Sequence, residues 1–188
     1  MLKKNDDSLV PQIITQRGNR TIENVIAIFI GVVGLSLLAQ IAIPLPWTPV
    51  PITGQTFGVA LAALLWGRKR GVAVVLSYLF IGYLGLPVLA LGKSGIAMGP
   101  TAGYLLGMVI ASYWMGMLAD FGWTKSYLRT CLVASSGSLI IFAFGAAVLS
   151  FFVPSKDILV MGVLPFLPGE IVKTAFASFL AFRAQKSV

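Results

Sequence analysis

From Ile22 onward, apolar runs follow one another with only short breaks, and those breaks consist of Pro, Gly and basic residues. That succession leaves little choice of fold. Of the 188 residues 57% are hydrophobic and 11% are charged, and a soluble domain of this length carries roughly twice that charge. Mean hydropathy is +0.91. A membrane helix needs about 20 apolar residues, so there is room for six spans at most. The expected class is an all-α integral membrane protein of six transmembrane helices, surrounded by membrane lipid. The net charge of +8 does not point to nucleic acid, because the basic residues sit in short loops. There the excess of Lys and Arg on cytoplasmic loops accounts for them.

Several chemistries are excluded. The chain has no His and one Cys, Cys131, inside an apolar run. That removes a disulfide framework, thiolate–imidazole chemistry, a serine–histidine triad and most zinc sites. No phosphate-cradling G-x-x-x-x-G-K-[ST] occurs, so nucleotide hydrolysis by that route is absent. No catalytic group, cofactor or metal is expected. Residues 1–20 are polar, with Asp6, Asp7 and Pro11, and read as a cytoplasmic tail ahead of a transmembrane domain at 21–188. The first apolar run is too long and too late for a cleaved signal peptide.

The first span is expected from Ile22 to Ile43, with Ala27, Gly31 and Gly34 as small residues that admit a close neighbour. Pro44-Leu45-Pro46-Trp47-Thr48-Pro49-Val50-Pro51 cannot be a regular helix. At membrane depth such backbone must be covered by protein or line a cavity, so it reads as an outer loop dipping toward the bundle. Thr53 and Gln55 open a second span to Trp66, and Arg68-Lys69-Arg70 reads as a tight basic turn. The third span runs from Gly71 to Leu84, ended by Pro87. A Gly-rich loop at 90–100 carries Lys93 and Ser94. The fourth span, Thr101 to Leu118, bears Gly103, Gly107 and Ala111 along one face for a tight helix contact. A fifth follows from Thr130 to Val153, with Ala134 and Ser138 on one face. Ile158 to Phe166 is too short to span and reads as lying across the outer mouth, and the sixth span starts near Pro168. With the N-terminus inside, nearly all Lys and Arg of the loops and tails are cytoplasmic and only Lys93 and Lys156 lie outside. Both termini are then expected in the cytoplasm.

The last span holds the one acid–base pair that charge cost makes conspicuous. Glu170 and Lys173 lie about one turn apart on one helix face. A charged side chain at the bilayer centre costs about 2.5–3.5 kcal/mol, so such residues face a bundle interior and mark a ligand or ion path. Two readings stand: an ion pair that holds helices together, or one wall of a polar pocket. Gln55 reads equally as an interhelical hydrogen bond or a ligand contact. With Lys93 these residues offer acceptors and donors for a ligand that has N–H groups, a carbonyl and a carboxylate. Trp47, Phe57, Tyr83, Met98, Tyr104 and Phe166 are candidate apolar walls.

At these residues the chain resembles the BioY family, the biotin-binding S components of energy-coupling-factor (ECF) transporters. Four motifs carry the resemblance: Pro49-Val50-Pro51-Ile52-Thr53-Gly54-Gln55-Thr56, Gly85-Leu86-Pro87-Val88, Gly99-Pro100-Thr101-Ala102-Gly103-Tyr104, and Pro165-Phe166-Leu167-Pro168-Gly169-Glu170 with Lys173. Together they are specific, though each alone is weak. The resemblance implies a membrane subunit that captures biotin outside and delivers it inward. Its implied partners are a transmembrane coupling protein and two cytoplasmic ATPase subunits. It places the ureido-ring contacts on Glu170 and Lys173 and a polar loop contact on Lys93. The binding set drawn from it and from the residues is Glu170, Lys173, Lys93, Gln55, Tyr104, Ser94 and Thr53, with Ala27 and Gly31 facing the coupling protein. Three positions depart from the family pattern: Glu170 where Asp is commoner, Leu91-Gly92 where a Gly pair stands, and Ala102 where a second Gly stands. The alternatives are a subunit of the same architecture for another vitamin, an intramembrane enzyme with Glu170 as base, and a solitary ion-coupled carrier using Glu170. The lack of His and of further intramembrane carboxylates counts against the enzyme. Lys173 counts against the carrier, because it already matches the charge of Glu170.

Overall fold

The structure, a computed structural model, describes residues 20–95 and 98–186. The segment expected as a tail therefore lies outside the described residues, apart from Arg20. That residue opens α1 (Arg20–Gln40). Short strands β1 (Ala42–Ile43) and β2 (Ile52–Thr53) follow, then α2 (Gln55–Tyr83), α3 (Ala102–Asp120), α4 (Tyr127–Leu149), the short α5 (Ile158–Gly162) and α6 (Leu167–Lys186). Among the described residues, four stretches are long and apolar enough to cross a membrane: Thr21–Gln40, Ala102–Asp120, Tyr127–Leu149 and Ser155–Lys186, the last containing α5 and α6.

Helix α2 is a hairpin rather than a rod. Gly67 interrupts it with φ 71° and ψ −174°. In a straight helix Gln55 and Tyr78 would stand roughly 35 Å apart, at 1.5 Å per residue. Instead the Gln55 Nε2 donates to the Tyr78 hydroxyl at 2.7 Å, and Gly71 packs on the backbone of Ala63. The arms 55–66 and 68–83 thus lie side by side. The basic triplet was expected to form the turn, but Gly67 alone makes it, and Arg68, Lys69 and Arg70 are already helical. The reason is conformational: the backbone angles at this position are open essentially only to Gly.

The first helix ends at Gln40, not Ile43, for a related reason. Pro44 biases Ile43 away from helical geometry. Ala42 and Ile43 then pair antiparallel with Thr53 and Ile52, a two-residue ladder that ties off the base of the Pro-rich loop.

In lipid, helices gain nothing by hiding apolar surface from one another, so close packing of small residues must hold them. Gly103 and Gly107 of α3 do this against α4. A Cβ at Gly107 would lie 2.9 Å from the Ile141 Cα, and one at Gly103 would lie 2.7 Å from the Val148 Cβ. The interior is closed by Leu35, Leu64, Tyr78, Met115, Ile141 and Leu149. Phe29, Leu37, Phe80, Leu139, Ile171 and Val172 remain exposed on the outside, as a bilayer permits.

The two ends of the bundle differ. At one, the Arg68 N–H donates to Asp120 at 3.2 Å, Arg70 donates to Asn24 at 2.7 Å, and the Gln185 amide donates to Thr124 at 3.1 Å. At the other, the Thr48 hydroxyl of the Pro-rich loop donates to the Met161 carbonyl at 2.7 Å. The Tyr104 hydroxyl donates to the Gly162 carbonyl, also at 2.7 Å. The short segments between α4 and α6 therefore do lie across that mouth.

Candidate ligand-binding site

Glu170 sits in the first turn of α6, where the positive end of the helix dipole favours a carboxylate. It is 4% exposed. Lys173 Nζ lies 2.6 Å from its Oε2. The Thr56 hydroxyl donates to the same oxygen at 2.8 Å, and the Ser138 hydroxyl donates to Oε1 at 2.7 Å. Lys173 also donates to Thr56 Oγ1 at 2.6 Å and to the Thr53 carbonyl at 3.1 Å. The pair is thus satisfied by four elements: α6, β2, the first arm of α2, and α4. The two readings of the sequence coincide here, because the same groups that tie the helices also border a cavity.

That cavity holds about 560 Å³, within the roughly 300–1,000 Å³ usual for small-ligand sites. One polar wall carries Thr53, Gln55, Thr56, Glu170 and Lys173. A second polar patch, Lys93 and Ser94, lies on the exposed loop that follows α2. Between them run apolar walls from Tyr104, Met108, Ile141, Phe142 and Phe166, with Phe142 and Phe166 stacked at 6.2 Å. Gln55 makes the hydrogen bond between helical segments and also borders the cavity. Its oxygen accepts from the Thr53 hydroxyl at 3.1 Å and its nitrogen bonds Tyr78, yet its side chain still lines the cavity.

All seven expected binding residues, Glu170, Lys173, Lys93, Gln55, Tyr104, Ser94 and Thr53, therefore border one cavity. The expected apolar walls divide differently. Only Tyr104 and Phe166 line it. Trp47, Tyr83 and Met98 are exposed, and Phe57 stacks on Phe176 with ring centres 5.7 Å apart. Sequence reasoning missed Thr56, Met108, Ile141 and Phe142, and did not connect Ser138 to Glu170. The small inner face of α4 was the signal for Ser138.

Ala27 and Gly31, expected to face a partner, are turned inward. Ala27 is 4% exposed, and Gly31 packs on Trp66 and Val74 of α2. Their small size serves packing within the chain, and neither offers surface to a docking protein. Leu91 stands where the family pattern has Gly. It adopts φ 62°, ψ 30° in the turn Ala90–Gly92, a left-handed geometry that costs a non-glycine residue about 1–2 kcal/mol.

The fold and site define a membrane-embedded helical protein with an internal, mostly apolar cavity and a charged pair at one wall. Within that class the assignment is specific: the chain belongs to the BioY family, whose model matches residues 11–188. A biotin transporter BioY of Thermotoga maritima is 36% identical over 147 residues, covering 77% of this chain and 86% of that protein. A probable biotin transporter BioY of Pyrococcus horikoshii is 37% identical over 164 residues, covering 86% of this chain and 94% of that one. The solved S-component for biotin from an ECF-type ABC transporter superposes with a TM-score of 0.83 at 26% identity, covering 91% of this chain and 95% of that one. These relatives are transport proteins, and the chain is not an enzyme.

Proposed function

We propose that this chain is the biotin-binding S component of an ECF transporter, taking biotin from the outer side and delivering it inward. The observation that carries the reading is the buried Glu170–Lys173 pair, which presents an acceptor and a donor side by side on the wall of an apolar cavity. The biotin ureido ring has N–H groups beside a carbonyl, so Glu170 accepts from the ring N–H and Lys173 donates to the ring oxygen. Tyr104, Met108, Phe142 and Phe166 pack on the bicyclic body. The valerate carboxylate points to Lys93 and Ser94 on the exposed loop.

Six spans follow if the two arms of α2 each cross the bilayer beside α1, α3, α4 and α6. The clustering of Arg68, Lys69, Arg70, Lys125, Arg129, Arg183 and Lys186 toward one end, against Lys93 and Lys156 at the other, supports cytoplasmic termini. Energy comes from a coupling protein and ATPase partners, since no nucleotide-cradling motif is present. With Ala27 and Gly31 turned inward, any contact of α1 with the coupling protein uses its outward face, at Val25, Phe29 and Val33.

Calorimetry on the purified chain in detergent tests the substrate. Biotin is expected to bind tightly, while thiamine and riboflavin give no heat. Folded protein that ignores biotin would overturn the reading and assign the pocket to a different vitamin.

A further inference from the structure

The cavity wall made by Leu89, Ala90, Gly92, Lys93 and Ser94 is fastened by a side chain outside the proposed ligand contacts. Gln40, the last residue of α1, donates through Nε2 to the carbonyls of Val88 and Leu89, both at 3.2 Å. Its Oε1 accepts the Gly92 N–H at 3.0 Å. A further bond runs from Nε2 to the Ser36 carbonyl at 3.1 Å, within its own helix. Three carbonyls and one N–H surround this amide, so only one placement of its oxygen and nitrogen satisfies them.

The turn needs such fastening. Inside it, the Leu89 N–H donates to the Lys93 carbonyl at 3.1 Å and the Lys93 N–H donates to the Ala90 carbonyl at 3.4 Å. Residues 91–95 are exposed, and Leu91 and Gly92 both take left-handed backbone, with φ 62° and 66°. Exposed backbone bonds around strained residues open readily unless something outside the turn holds them.

We infer that Gln40 is a positioning residue for the anionic end of the ligand: it anchors 88–92 to α1 and so holds the Lys93–Ser94 patch in place over the cavity. The inference rests on the biotin reading above, in which Lys93 faces the valerate carboxylate. A pre-held loop binds without first having to be ordered, and losing that order shows mainly as faster dissociation.

The test uses the full chain in lipid nanodiscs. Gln40→Leu removes every one of these bonds at similar side-chain size. Gln40→Glu keeps the acceptor for Gly92 but sets a carboxylate oxygen against the three carbonyls, and it serves if the first variant does not fold. Both variants are expected to release biotin roughly tenfold faster, the loss of one or two hydrogen bonds. They should also lose part of the preference for biotin over its neutral amide. Unfolding temperature should stay near wild type, because Gln40 is exposed. Amide exchange at Gly92 and Lys93 should rise in the ligand-free protein. Lys93→Gln, measured in parallel, should lose the same preference. If it does while the Gln40 variants keep wild-type release and exchange, the positioning role is overturned and the biotin reading survives. If wild-type protein does not bind biotin, that reading fails. Exchange at Gly92 then decides for Gln40, and wild-type exchange in Gln40→Leu overturns its role as anchor.

Discussion

Glu170 and Lys173 illustrate what a single buried pair demands of its surroundings. Replacing one partner alone leaves the other as an uncompensated buried charge, at about 3–5 kcal/mol, whereas neutralising both is often close to neutral for stability. Glu170→Ala should therefore lower the unfolding midpoint in detergent and abolish biotin binding. The double variant Glu170→Gln/Lys173→Met should recover most of the midpoint and still not bind. Binding restored in the double variant would show that the pair is structural and that recognition lies elsewhere. Much of this was legible in the sequence, since charge cost alone singles out these two residues. Their neighbours were less so. Thr56 and Ser138 stand 114 and 32 residues from Glu170 along the chain, and no local pattern reports such a meeting. Leu91 shows the same limit in another form. Its place in a loop where the family favours Gly was readable, but not that it adopts the glycine geometry. Leu91→Gly should consequently stabilise the ligand-free protein by up to about 1 kcal/mol, measured by thermal unfolding. A lowered midpoint would mean that Leu91 contributes packing that outweighs its strain.

Among the elements, α2 is the one on which the cavity depends most. Its first arm supplies Thr56 and Gln55, and its second arm supplies Tyr78 to hold Gln55. Both rely on the reversal at Gly67, and α3 packs hard on that reversal, where a Cβ at Gly116 would lie 2.6 Å from the Arg68 Cα. Gly67→Ala should cost about 1–3 kcal/mol, the range for backbone forced into so sparse a region. It should also weaken biotin binding by shifting the first arm. Differential scanning of the variant against wild type is the check, and an unchanged midpoint would show that the turn tolerates a side chain. The sequence reading found both arms but gave the turn to the basic triplet, because three adjacent charges are conspicuous and one Gly among 20 is not. The helix-packing face of α3 was read correctly, since Gly103, Gly107 and Ala111 repeat at helical spacing. The inward turn of Ala27 and Gly31 was not, because small residues look alike whether they admit a neighbour in the same chain or in another.

For the molecule as a whole, the hydropathy pattern was enough to place every helix among the described residues within a few positions. The order of the spans also put the Pro-rich loop, the Lys93 loop and the start of α6 at one end, and residues of all three border the cavity; what the pattern could not supply were the side chains of α3 and α4 that close it, Met108, Ile141 and Phe142. The function proposed for the chain depends on which way that cavity opens. Lys156 lies at the cavity end and Lys125 at the basic end, and both are exposed. Cys131 is the single Cys of the chain, so a Cys131→Ser background allows one reporter thiol at a time. An impermeant maleimide added to intact cells should label Lys156→Cys and spare Lys125→Cys until the membrane is opened. The positive-inside bias and the capture of an external vitamin both require that result. The reverse pattern would turn the Glu170–Lys173 wall toward the cytoplasm, where a binding subunit for uptake could only receive biotin that had already entered. Uptake would then have to be abandoned as the function, even if calorimetry showed that biotin binds.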